Sequence, residues 1–188
     1  VHYWAEPPDM QDIDVVIAAS WRPQYETLMA EVGRLLPDRN LSVALAGPGW
    51  VSRRTKFPEH WQFPGPIYGR AYGDFVRRGK IVIAPVHSEV VIDGKQQPGD
   101  QDTTRTYELA ASYSFFLHRR TPFIQKVYEE GKECFFWDNS KELIDLIRYF
   151  LSNERERQTV AKAAHERAVP AYSVPFRAKE VLAHIKNI

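Results

Sequence analysis

Short apolar runs that alternate with helical patterns predict an α/β fold, a Rossmann-like doubly wound parallel sheet of five or six strands with helices on both faces. Two observations carry that expectation. Runs such as Asp14-Val-Val-Ile-Ala-Ala-Ser20 are apolar without alternation, as strands buried on both faces of a parallel sheet must be. Between these runs, apolar residues recur at helical spacing and stop at Pro, Gly or Asp.

Taken in order, the first strand covers 14–20. Tyr25, Leu28, Met29, Val32, Leu35 and Leu36 follow at helical spacing up to Pro37-Asp38, and a second strand at 41–46 stops at Gly47-Pro48-Gly49. Residues 50–66, with arginines, a lysine and several aromatics, read as an irregular surface loop. A short helix at 72–78 leads to a third strand at 80–85. The polar stretch 86–102, marked by Asp93-Gly94 and Pro98-Gly99, reads as a long mobile loop at one edge of the sheet, a usual place for function. Alternation then resumes with a helix at 103–111, a strand at 114–118, a helix at 122–130 stopped by Gly131, and a strand at 133–137. Asn139-Ser-Lys-Glu142 has the pattern of a capping box ahead of an apolar stripe of Leu143, Ile144, Leu146, Ile147, Phe150 and Leu151. Helices at 154–168 and 174–186 complete the chain. Residues 1–12, proline-containing and opening on Val1, read as a linker or crossover from something earlier, and 13–188 as one domain.

With 188 residues, 44% of them hydrophobic, the chain can bury one substantial core. Lys and Arg number 25 against 24 Asp and Glu, a net charge of +1, which argues against nucleic acid as a partner. No run approaches the roughly 18 apolar residues of a transmembrane segment, and the opening residues lack the order of a signal peptide, so the expected location is cytoplasmic. The single cysteine, Cys134, excludes an internal disulfide framework and a cysteine metal cluster, and reads as a buried strand thiol.

Sheets of this class bind ligands beyond the carboxyl ends of their strands, here after Ser20, Ala46, Pro85 and His118. Gly47-Pro48-Gly49 has Ser52 in place of a third glycine and no helix behind it, so it marks a tight turn rather than a dinucleotide fingerprint. Asp102-Thr-Thr-Arg-Thr-Tyr-Glu108 is more informative, because a helix starting there offers free amides and the positive end of its dipole to a diphosphate. Thr103, Thr104 and Arg105 add donors, and Glu108, one turn on, has the carboxylate needed to accept both hydroxyls of a ribose. A structural alternative stands beside this: Asp102 or Thr103 caps the helix and Glu108 pairs with a surface arginine. Ser20 and Arg22 lie where the first strand would deliver them to the same phosphates, whereas Arg53, Arg54 and Lys56 read as surface charges.

At these residues the chain resembles the spore-maturation-protein-like glycosyltransferases. The match runs through Arg105-Thr-Tyr-Glu108-Leu-Ala, Tyr128-Glu-Glu-Gly-Lys-Glu133, Ser140-Lys-Glu-Leu143 with Ile147-Arg-Tyr-Phe-Leu151, Arg155-Glu-Arg157 with Ala161, and Arg177-Ala178. Upstream it takes in Ser20-Trp-Arg-Pro-Gln24-Tyr25, Gly47-Pro-Gly-Trp50 and Gly65-Pro-Ile-Tyr-Gly69 with Tyr72. The resemblance implies the carboxyl-terminal, donor-binding lobe of a GT-B fold, whose partner is an amino-terminal acceptor-binding lobe of the same polypeptide. It implies a nucleoside diphosphate sugar as donor substrate, with no cofactor and no metal. By the same resemblance Glu108 holds the ribose, Arg105 and the Thr103–Thr104 helix start hold the diphosphate, and Arg22 neutralises the leaving phosphate. Ser20 and Trp50 line the donor site, and Ile67, Tyr68 and Gly69 hold the nucleobase. Where many retaining members carry a second acid, eight residues before Glu108, this chain has Asp100. The alternative expectation is a non-catalytic interaction or regulatory module with an eroded pocket.

Overall fold

The computed structural model describes residues 4–36, 40–87 and 89–186. Its elements run β1 (Ile13–Ala18), α1 (Pro23–Leu35), β2 (Val43–Ala46), a 3-10 turn (Val51–Lys56), β3 (Gln62–Gly65), α2 (Gly69–Arg77) and β4 (Gly79–Ala84). The second half contributes β5 (Glu89–Ile92), β6 (Lys95–Pro98), α3 (Thr104–Ala111), β7 (Phe116–Arg119), α4 (Ile124–Val127), β8 (Phe135–Trp137), α5 (Ser140–Ser152), α6 (Glu154–Ala168) and α7 (Val174–Lys186). Six strands form one parallel sheet in the order β3-β2-β1-β4-β7-β8. That is the doubly wound order, with its reversal between β1 and β4.

The unbroken apolar strands are explained by what lies on each face. Val15 and Ile17 of β1 join one cluster with Tyr25, Met29 and Val32 of α1 and Leu143, Ile144, Ile147 and Phe150 of α5. The alternate residues Val16 and Ala18 join a second cluster, with Phe75 and Val76 of α2, Leu109 and Ala110 of α3, and Ala164 and Ala168 of α6. Successive side chains of a strand point to opposite faces, so a strand covered on both sides must be apolar throughout.

Several expectations are corrected. Residues 50–66 are not an irregular loop: they hold the 3-10 turn and the edge strand β3. Its sequence, Gln62-Phe-Pro-Gly65, escapes a strand reading because proline is compatible only with an edge. The aromatics of this segment anchor it, Phe57 stacking on Trp61 with centroids 5.6 Å apart. Residues 86–102 contain an antiparallel hairpin, β5 with β6. Asp93 at φ 49° and Gly94 at φ 72° form its two-residue turn, which matches the twist of the strands because both central residues are left-handed. The helix expected at 122–130 is a single turn, α4, and Gly131 closes a separate turn in which its N–H donates to Cys134 O at 2.9 Å. Pro37 and Asp38, expected to stop α1, lie outside the described residues.

Residues 4–12 lie against the domain rather than away from it. Trp4 donates its indole N–H to Asp74 at 3.2 Å, and its ring fills the space that any side chain at Gly73 would need. No helix among the described residues is long and apolar enough to cross a membrane.

Candidate functional site

The carboxyl edge of β1 and β2 is closed by backbone. Ala19 N–H donates to Ala46 O at 3.0 Å and Trp21 N–H to Pro48 O at 2.8 Å, locking the two exit loops together. Gly47, at φ +127°, lets the chains meet this closely: a Cβ there would stand 2.2 Å from Ala19 O. Trp50, expected in the donor site, belongs to the core instead. It is fully buried, and its indole N–H donates to Ala19 O at 2.7 Å, so it supports the Ser20 loop from behind.

Arg105 occupies the reversal point of the sheet. Its Nε donates to Ala18 O at the end of β1 (3.1 Å) and its Nη1 to Pro85 O just past β4 (2.7 Å). A guanidinium has five N–H donors, so this fastening fixes the plane of the group and still leaves donors for a ligand.

The start of α3 is held from below. Thr103 N–H donates to Thr106 Oγ1 at 3.3 Å, and Thr106 Oγ1 lies 2.8 Å from His118 Nε2. His118 Nδ1 lies 2.6 Å from Arg119 O, so the proton is on Nδ1 and Nε2 accepts from the Thr106 hydroxyl. Burial lowers the imidazole pKa to about 4, keeping it neutral. Thr103 is the cap residue of α3, as the structural alternative allows, and faces Thr106 in the arrangement of a capping box, yet its hydroxyl donates to nothing; Asp102 does not cap, since its Oδ2 accepts from Tyr107 Oη at 2.6 Å. The amides of Thr104 and Arg105 belong to the first turn, where no intrahelical acceptor exists.

These elements enclose a cleft of about 290 Å³ lined by the β1 and β2 exits, including Ser20, and by Ile67, Tyr68, Tyr72, Thr103, Thr104, Arg105 and Glu108. An adjoining hollow of about 280 Å³ shares Ile67, Tyr68, Tyr72 and Glu108 and adds Gly69, Trp4 and Ser112. Of the ten residues expected at the site, eight are thus brought together, Gly69 by way of the hollow. Glu108 makes no ion pair among the described residues, contrary to the structural alternative. Arg22 is exposed at the cap position of α1 and does not line the cleft, although its charge and that of Arg105 both reach the Tyr25 hydroxyl, which places them on one edge of the sheet. Arg53 and Lys56 are spoken for, converging on Glu26 at 3.3 and 2.5 Å. Sequence reasoning gave no site role to Tyr72, which it met only in the resemblance and at a helix start, or to His118, the last residue of a strand; only their neighbours across the fold reveal the polar role.

The Glycosyl transferase-like family model matches residues 22–183. No curated protein matches the chain by sequence. Among solved structures it is similar to S. aureus TarM in complex with UDP and other ligands, at TM-score 0.73 and 16% identity, over 97% of this chain and 37% of that one. It is also similar to HepE of Anabaena in complex with UDP-glucose, at TM-score 0.70 and 12% identity, over 94% of this chain and 49% of that one. The carboxyl-terminal domain of a glycosyl transferase group 1 protein, LpcC of Francisella tularensis, superposes at TM-score 0.65 and 11% identity, over 89% of this chain and 95% of that domain. The chain therefore spans less than half of TarM and of HepE but nearly all of an isolated carboxyl-terminal domain. Its sheet order, cleft and family match agree: the chain belongs to the glycosyl transferase-like family, with the Rossmann-like architecture of a GT-B carboxyl-terminal lobe.

Proposed function

We propose that this lobe binds the nucleoside diphosphate sugar donor of a two-lobed glycosyltransferase. One observation carries the reading: Ser20, the open first turn of α3 and the fastened guanidinium of Arg105 converge on one cleft at the sheet's reversal point, with the unpaired Glu108 a turn away. In transfer, the bond between the anomeric carbon and the diphosphate oxygen breaks, and the electron pair leaves with the diphosphate. The acceptor hydroxyl oxygen forms the new bond and gives up its proton to a base. Arg105 and the helix start meet the developing charge with donors already in place, the arrangement that contributes most to such catalysis. Arg22, on the same edge, adds its charge once the diphosphate reaches the β1 exit. Glu108 takes the ribose hydroxyls and the Ile67–Gly69 turn takes the base. HepE, which shares the fold, is known in complex with UDP-glucose.

The acceptor and the base belong in this reading to an amino-terminal lobe. The side of α7 that carries Val174, Val181, Leu182 and Ile185, each more than half exposed, is the surface such a lobe would cover. Within the family, the motif pattern supports the spore-maturation-protein-like branch. Calorimetric titration with UDP, GDP and dTDP tests the reading. At least one binds, with undiminished affinity in EDTA because protein donors hold the phosphates, and Arg105→Ala weakens it by about 10- to 100-fold, the range for a charge-assisted hydrogen bond. Silence with all three nucleotides overturns the proposal.

A second reading has one observation in its favour. No basic residue from the β2 exit lines the cleft, since Arg53 and Lys56 are paired with Glu26. A non-catalytic module with an eroded pocket would look the same there, and the same titration separates the two.

A further inference from the structure

Four buried side-chain polar atoms among the described residues lack a hydrogen-bond partner, and two of them, the hydroxyls of Tyr72 and Thr103, belong to residues of the same cleft. A hydroxyl withdrawn from water and left unpaired costs about 1–3 kcal/mol, so folded chains retain few of them. Two in one cleft call for an acceptor from outside the chain. Tyr72 stands on α2 in the wall common to the cleft and the adjoining hollow, as does Glu108. The charges that reach its hydroxyl are those of Arg105 and Glu108. A ligand spanning both spaces therefore passes Tyr72 and Glu108, which line both. Burial holds the phenol well above its usual range, so the hydroxyl keeps its proton and can donate.

We propose that Tyr72 is a ligand-contacting residue whose hydroxyl donates to the bound nucleotide where ribose meets diphosphate, with the Thr103 hydroxyl donating to the phosphates beside Arg105. This rests on the donor-binding reading above. Both hydroxyls lie just beneath the cleft wall, so engaging them takes a side-chain adjustment of the kind common at binding sites. The ring of Tyr72 packs on the cluster that includes Phe75, Val76 and Leu109, and that packing is a separate, structural contribution.

Tyr72→Phe keeps the ring and removes only the hydroxyl. Without ligand, the variant melts at the same temperature as the parent or higher, because an unsatisfied group has gone. Its affinity for whichever of UDP, GDP and dTDP the parent binds, measured by calorimetry, falls about tenfold. Thr103→Val, nearly the same shape, should also weaken nucleotide binding. An unchanged affinity in Tyr72→Phe for the nucleotide that the parent binds overturns this inference and leaves the donor reading standing. A lowered melting temperature also overturns it, since the hydroxyl would then serve the fold. A parent that binds none of UDP, GDP and dTDP overturns the donor reading and this inference with it.

Discussion

Two side chains that a ligand never needs to touch decide how Arg105 and the α3 start present themselves. Thr106 and His118 form a buried relay from the Thr103 amide to the Arg119 carbonyl, and the relay works only with a neutral imidazole accepting at Nε2. His118, with a folded pKa of about 4 against the ordinary 6.5, makes folding sensitive to acid. The unfolded chain binds the proton first, so this contribution is fully present above about pH 6.5 and is lost as pH falls through the window down to about 4, to a total of about 3 kcal/mol. His165, lowered in the same direction by burial, adds to the effect. Urea unfolding at pH 7 and at pH 4.5 should show the loss in the parent and a smaller one in His118→Gln. A parent equally stable at both values refutes the assignment.

At the scale of elements, the site depends on loops tied to strand ends. The β1 and β2 exits meet because Gly47 lacks a side chain and adopts a left-handed conformation. Gly47→Ala should cost more than about 1 kcal/mol by denaturant titration, since the new methyl group meets the Ala19 carbonyl in a backbone region closed to alanine. It should weaken UDP binding as well, because Ser20 follows the displaced carbonyl. Helix α5 illustrates a cap legible in sequence. Asn139 Oδ1 accepts from Glu142 N–H at 3.0 Å, as the Asn-Ser-Lys-Glu pattern indicates, but the Glu142 carboxylate reaches Asp138 N–H at 2.8 Å rather than the cap residue's own amide.

Over the whole molecule, both faces of the sheet are covered, while α7 carries no buried residue. The double variant Leu182→Ser, Ile185→Ser should therefore leave the melting temperature of this chain unchanged within about 1 °C. Leu143→Ala, within the core, should cost about 2–5 kcal/mol. Comparable losses from both would mean that α7 packs on the domain after all. The two helices after α5 agree with the sequence reading to the residue, at 154–168 and 174–186. By contrast, β3 and the β5–β6 hairpin escaped it: Pro64 argues against a strand reading for β3, and β5 offers only the short apolar run Val90 to Ile92 before the polar β6.

What the sequence determined alone was the alternation of elements, the layered α/β class and the start of α3 with its Thr-Thr-Arg donors. Those follow from local periodicity and from residue types within a few positions of one another. Only the tertiary structure decided that Arg105 is fastened to β1 and β4, that Trp50 stands behind the site rather than in it, and that the hydroxyls of Tyr72 and Thr103 are left without partners. Each of those facts concerns groups distant in sequence that meet at the edge of the sheet, and spacing along one chain carries no record of which strand ends become neighbours.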